Sequence, residues 1–260
     1  MHDRATANRR SASAASTTLP APAPKGEPLR RTAVLTMALA IIDAEGVEAL
    51  SMRRLGRALN RDPMRLYRHA ATKAQLLDAV TERLLADLPI PALNGDAWQQ
   101  ALRHTAERYC EIARAHPHMV PLMVTRPLAT PLGLRPLGTV RPLEGILALL
   151  IAAGFSPAAA LHAYRLFFGF LQGHILNQAQ ELIVNPDETD DVLRLGLHHL
   201  PLREFPHTRA LASTLANYDG TLELQKGLDI LLTSLSKQLL DSCSTAEGLG
   251  WRHAQDPRRR

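Results

Sequence analysis

The stretch SMRRLGRALNRDPMRLYRHAATK, residues 51–73, decides the fold. Ser51 is a good N-cap residue, and Leu55 and Leu59 recur one turn apart behind it. Residues 60–62 break the pattern, and Pro63 suits the first position of a new helix. The spacing predicts two short helices, the second over 63–69, joined by a tight turn. Seven cations lie here, Arg53, Arg54, Arg57, Arg61, Arg65, Arg68 and Lys73, against the single acid Asp62. Short helices with concentrated positive charge suit a reader of the DNA major groove, because Arg offers a bidentate fork to guanine edges and phosphates.

Upstream, Val34, Ala38, Ile41 and Ile42 mark one face of a helix over 31–44, which Gly46 ends. Downstream, Thr72 and Gln75 form a T-x-x-Q capping box for another helix. Leu77, Val80, Leu84 and Leu88 give it an apolar stripe, and Pro89 and Pro91 close the segment. Residues 29–88 are therefore read as a helix-turn-helix DNA-binding head. Residues 1–28, rich in Ala, Ser, Thr and Pro, are read as a disordered tail.

The remaining chain also reads as helices. Trp98, Leu102, Thr105, Tyr109, Ile112 and His116 mark one, stopped by Pro117. The Pro-rich run 121–136 permits only short turns. Further helices are predicted over 137–153 and, opened by Ser156-Pro157, over 157–182. Residues 185–206 are expected to be a loop with at most a short helix, followed by a short helix over 207–217. Leu224, Leu228, Leu231, Leu235 and Leu239 mark the last long helix. Nothing alternates with period two over a useful length, so the chain is predicted to be all-α. Residues 89–242 form the expected ligand-binding and dimerisation body, and 243–260 a flexible basic tail.

Bulk properties agree with a basic head on a mildly acidic body. The chain has 260 residues and a formal net charge of +5, yet residues 89–251 carry twelve Lys and Arg against fifteen Asp and Glu, a net of −3. Such asymmetry points to a nucleic-acid reader joined to something else. No apolar run is long enough to span a bilayer, and Arg4, Arg9 and Arg10 are followed by no apolar leader segment. Two cysteines, Cys110 and Cys243, make neither a disulfide framework nor a metal-ligand spacing, so a cytoplasmic location is expected.

An enzyme is the main rival class. His116-x-His118 and His198-His199 suggest metal ligation but lack a third ligand at a recognisable spacing. No G-x-S-x-G, Walker loop or G-x-G-x-x-G occurs. No metal, cofactor or catalytic residue is expected.

The order helix, Gly46-Val-Glu-Ala-Leu50, Ser51-Met-Arg-Arg-Leu-Gly-Arg-Ala-Leu59, turn, Leu66-Tyr67-x-His69, Lys73 and Leu76-Leu77 resembles the tetracycline-repressor family of bacterial transcription regulators. The body resembles the C-terminal domain class of the tetracycline repressors, through Trp98, Thr125-Arg126-Pro127, Gly154-Phe155-Ser156 and Gly227-Leu228-Asp229. Together the likenesses cover roughly residues 30–240. They imply a homodimer joined through a four-helix bundle made by the last two long helices of each copy. The dimer would bind palindromic operator DNA as a repressor and be released by a small-molecule effector. An activator of the same fold, or a regulator without an effector, stays open.

The resemblance assigns roles position by position. Arg53 falls where the family contacts a base. Pro63, Met64 and Arg65 open the recognition helix, whose first residues normally reach base edges. Met64 would pack on a thymine methyl and Arg65 would read guanine. Tyr67 and His69 would donate to phosphates, as would Lys73 at the start of its helix. Arg68 stands where the tetracycline repressor has an aromatic, so a different operator is expected. In the body, residues 158–176 are apolar nearly all round, as a helix buried on every side would be. Leu161, Phe170, Leu171, Leu228, Leu231 and Leu235 are the expected dimer interface. His104, Arg108, Met119, Met123, Leu147, Tyr164, Phe168 and His174 are the expected ligand-binding residues. Leu122 replaces a histidine that helps the tetracycline repressor hold drug-bound magnesium, which argues against a metal-chelated tetracycline and for a largely apolar effector.

Overall fold

The structure, a computed structural model, describes residues 19–20, 29–86, 88, 98–129, 137–183, 190–217 and 219–253. The described residues form helices and turns and no strands. Apart from Leu19 and Pro20, the expected N-terminal tail lies outside them, as do residues 254–260.

Helix α1 (Arg31–Glu45) turns Val34, Leu35, Ala38, Ile41 and Ile42 inward. Gly46 ends it at φ 84°, where a side chain would be strained, and its N–H returns to the Ile42 carbonyl at 2.8 Å. A single 3₁₀ turn (Val47–Ala49) leads to α2 (Met52–Leu59). The Ser51 hydroxyl caps α2, accepting from the Arg54 N–H at 3.1 Å. Asn60 closes it in the left-handed conformation, φ 51° and ψ 48°.

The predicted third helix is tighter than an α-helix. Only one 3₁₀ turn forms (Pro63–Arg65), and residues 66–69 continue as turns. The Leu66 N–H reaches back three residues to the Pro63 carbonyl at 3.0 Å, and the His69 N–H three residues to Leu66 at 2.8 Å. Its start is pinned by the Asp62 carboxylate, which accepts from the Met64 N–H at 2.9 Å.

Helix α3 (Lys73–Ala86) opens on the expected cap. The Gln75 N–H donates to Thr72 Oγ1 at 3.1 Å, and Gln75 Oε1 accepts from the Ala71 N–H at 2.9 Å. Leu76, Leu77, Val80, Leu84 and Leu85 are buried. With Leu50, Leu55, Leu59 and Leu66, all at most 2% exposed, they complete the head core.

The later chain forms α4 (Trp98–Ala115), α5 (Val120–Ala129), α6 (Leu137–Ala152), α7 (Pro157–Ile183), α8 (Asp190–His199), α9 (Pro206–Ala210), α10 (Ala212–Ala216) and α11 (Gly220–His253). Three expectations are corrected. The Pro-rich run contains the ten-residue helix α5; Pro121 falls in its first turn, where the missing N–H has no intrahelical partner to lose, while Pro127 lies further along the helix and gives up one backbone hydrogen bond. The expected loop after 185 contains α8, another ten-residue helix. The expected C-terminal tail is helical as far as His253.

The chain divides into two compact units. One holds residues 1–85 with 116–136; the other holds 86–115 with 137–260. The segment containing α5 thus belongs with the head. His116 Nδ1 meets Asp43 Oδ2 at 2.9 Å, and Arg126 Nη1 meets Asp78 Oδ1 at 3.1 Å. In the second unit α4 and α7 run parallel: Trp98 packs edge-on against Phe155 at 5.1 Å and Tyr109 against Phe168 at 5.8 Å. Helix α11 runs antiparallel to α7, with Gly227 against Phe170 and Leu239 near Gly154. A Cβ at Gly227 would land inside the Phe170 ring, so only glycine permits this approach.

Candidate nucleic-acid interface

The head separates the residues of 51–73 by direction. Leu55, Leu59 and Leu66 point inward and fix the two helical pieces against α1 and α3. Met64, at 72% exposure, stands at the tip of the 3₁₀ turn. An apolar side chain that far in water, on a turn rigidified by Asp62 and Pro63, gains from meeting another apolar surface. Arg53, Arg65, Tyr67 and Arg68 are also exposed; Pro63, His69 and Lys73 are half-buried.

The cations divide by partner, which the sequence does not reveal. The Arg54 guanidinium is held by Glu45 through both Nε and Nη2, tying α2 to the end of α1. This contact draws the Glu45 carboxyl below its ordinary range. Lys73 Nζ lies 3.8 Å from Glu48 Oε2, a loose pair whose carboxylate is 99% exposed. Arg53, Arg57 and Arg65 make no ion pair among the described residues. Arg68 Nε donates to His69 Nε2 at 3.1 Å. His69 therefore presents a lone pair to Arg68, and burial, then the charges of Arg68 and Arg31, hold its pKa below the ordinary value. With that nitrogen accepting, only Nδ1–H is left to donate outward, so the imidazole also steers the Arg68 fork.

The expected ligand residues fall in both units. Met119 and Met123 are buried in the head unit. In the second unit His104 and Arg108 are exposed, and Arg108 pairs with Glu111 at 3.1 Å. Leu147, Tyr164 and Phe168 are half-buried, and His174 is buried. Tyr164 and Phe168 lie 4.9 Å apart, joined by Phe167 and by Tyr109, whose phenol burial pushes to higher pKa. A cleft of about 340 Å³ lies elsewhere, at the turn between α6 and α7, lined by Phe155, Ser156, Gln238 and Asp241 among others. It is half open, unlike an enclosed effector site.

Of the expected dimer residues, Leu171, Leu228 and Leu235 are at most 1% exposed within a single protomer. They are core residues with no surface left for a partner, which corrects their assignment. Leu161, Phe170 and Leu231 keep partial exposure. The outer face of α7 instead shows Leu166, Gly169, Gly173 and Leu176, and a Cβ at either glycine would meet open space. Helix α11 exposes Leu222, Ile230 and Leu240.

The histidine pairs have other work. His116 and His118 both meet Asp43, and His199 Nδ1 meets the Leu195 carbonyl at 2.8 Å. Among the described residues no group of three or more His, Cys, Asp or Glu is arranged to hold a metal. The buried Cys110 thiol is pushed up to about 11, too high for a reactive thiolate. No helix among the described residues is long and apolar enough to cross a membrane.

Comparison with known proteins matches residues 90–239 to the tetracyclin repressor-like C-terminal domain. The transcriptional repressor DrrR1 of Streptomyces coeruleorubidus is 33% identical over 138 residues, 49% of this chain and 51% of that protein, so the match spans about half of its length. The class D tetracycline repressor protein of Escherichia coli is 28% identical over 228 residues, 81% of this chain and 91% of that one. Among solved structures, the Streptomyces coelicolor TetR family protein ActR in complex with actinorhodin superposes with a TM-score of 0.68 at 26% identity, covering 82% of this chain and 99% of ActR.

Proposed function

The chain belongs to the tetracycline-repressor family of transcription regulators, and from that premise we propose that it binds palindromic operator DNA as a homodimer and is released by a small-molecule effector. The observation that carries the DNA-binding reading is the exposed Met64 on a capped turn, with Arg53 and Arg65, which make no ion pair among the described residues, in the same helix-turn-helix. Arg65 and Arg53 would read guanine, Met64 a thymine methyl, and Tyr67, Arg68 and Lys73 would position the head on phosphates.

Dimerisation would use the outer faces of α7 and α11. Gly169 and Gly173 let a second α7 approach closely, while Leu166, Leu176 and Ile230 supply apolar area. The effector reading draws on the actinorhodin complex of ActR and on the aromatic cluster around Phe168. Leu122 stands against a magnesium-chelated drug.

The test is fluorescence anisotropy of the full chain with DNA from upstream of its own gene and its neighbours. A specific site should bind at about 10⁻⁸ M or tighter at physiological salt, with two half-sites about one helical turn, or a multiple, apart. Equal affinity for unrelated DNA of the same length would refute the reading.

A further inference from the structure

The buried stripe of α7 carries Phe167, Leu171 and Ile175, but its C-terminal half interrupts them with His174 and Gln178. These two sit four residues apart and so share a face one turn from each other. His174 is only 7% exposed. Its Nε2 and the Oε1 of Gln178 are closed to solvent and find no hydrogen-bond partner among the described residues. Buried polar atoms are normally paired, and apolar residues would fill the same stripe without the desolvation cost.

The histidine is also held in place. Phe170 stacks on the imidazole, ring centroids 6.1 Å apart and planes 28° apart. Phe170 is in turn seated against α11 where Gly227 leaves room for it. Both orphan atoms are enclosed within one protomer, so a partner subunit does not reach them.

Resting on the effector-responsive reading above, we infer that His174 and Gln178 are the polar anchor for the effector, and that the effector is a neutral, ring-containing molecule with at least one O–H or N–H donor. The Gln178 oxygen only accepts, so the guest must bring an O–H or N–H. Burial keeps the imidazole neutral, and an amide carries no charge, so the pair offers nothing to a buried ion. The Phe170 ring beside the imidazole suits a guest that carries a flat ring. The closed arrangement leaves the pair unsatisfied, and a guest that parts the flanking side chains satisfies it. The guest therefore favours the opened state over the closed one, which is what a ligand needs in order to shift an equilibrium.

The test uses the full-length protein and three probes of one ring size: 2-naphthol, naphthalene and 2-naphthoate, titrated by calorimetry. The parent should bind 2-naphthol about tenfold tighter than naphthalene, the equivalent of about 1.4 kcal/mol, and 2-naphthoate weakest. His174→Phe and Gln178→Leu should each bring 2-naphthol and naphthalene within about twofold, while melting no lower than the parent, since each removes a buried unpaired atom. Retention of the 2-naphthol preference in both variants overturns the proposal, as do tightest binding of 2-naphthoate and no binding of any probe by the parent. Operator binding is measured on the same samples. An intact 2-naphthol preference without operator binding sinks the regulator reading alone; operator binding without the preference sinks this site alone.

Discussion

Lys73 offers the sharpest measurement of the head. It is the first residue of α3, beside backbone N–H groups and the positive end of the helix, and its only described partner is a 99% exposed carboxylate at 3.8 Å. So loose a pair is worth at most about 1 kcal/mol, and under the proposed DNA-binding reading a phosphate would replace it. Lys73→Ala would then remove one phosphate contact per head and two per proposed dimer. Each contact contributes about 0.9 to the slope of log affinity against log salt, so the slope should flatten by about 1.8. Between 50 and 200 mM salt the parent should then lose about twelvefold more affinity than the variant. The assay is anisotropy with the operator and a scrambled duplex over that range, and both duplexes should weaken alike. Glu48→Gln is the control: it leaves the phosphate contact in place, so the slope keeps its parental value. An unchanged slope for Lys73→Ala, or a loss confined to the operator, would refute the phosphate assignment.

Three further outcomes follow from single residues. Asn60→Val should cost about 1–2 kcal/mol in urea unfolding, because Asn60 is left-handed at φ 51° and a β-branched residue resists that conformation, whereas Asn60→Gly should stay within about 1 kcal/mol of the parent. Ile230→Glu should turn the proposed dimer into monomers in light scattering with helicity preserved, since this side chain is 74% exposed in the protomer; a persistent dimer moves the interface off α11. For His69, burial and the Arg68 and Arg31 charges put the native pKa below the ordinary 6.5, so the neutral form is favoured on folding. That stabilisation is complete above pH 6.5 and is lost as pH falls through the native value. Melting temperature should therefore drop on acidification, and His69→Gln should shrink the drop; equal slopes would count against the Arg68 contact.

Local signals were legible where one residue decides one bond. Ser51, Gly46, Thr72 and Gln75 each cap the helix end that their chemistry suggested, because a cap depends on neighbours three or four residues away. Non-local choices were not. Arg54 reads like any other arginine of its run, and nothing in the pattern says that Glu45, nine residues earlier, will hold it. The leucine periods of α7 and α11 identify apolar stripes but not which side the protomer itself will cover, so Leu171, Leu228 and Leu235 went to the wrong face. Proline count misled at α5, which forms with Pro121 in its first turn and tolerates Pro127 beyond it.

The allocation of α5 to the head has a consequence for how the protein is made and how it can be cut. The head is discontinuous in the chain: Asp43 and Asp78 meet His116 and Arg126 only after residues 86–115 have been built. On a ribosome adding residues from the N-terminus, the first 85 leave the tunnel with two carboxylates still waiting for their partners. A fragment ending near residue 88 would keep the recognition turn but lose those partners for good. Grafting this head onto a relative's body is therefore not a one-junction operation; the graft must carry residues 116–136 as a second insert, or redesign Asp43 and Asp78 to stand alone.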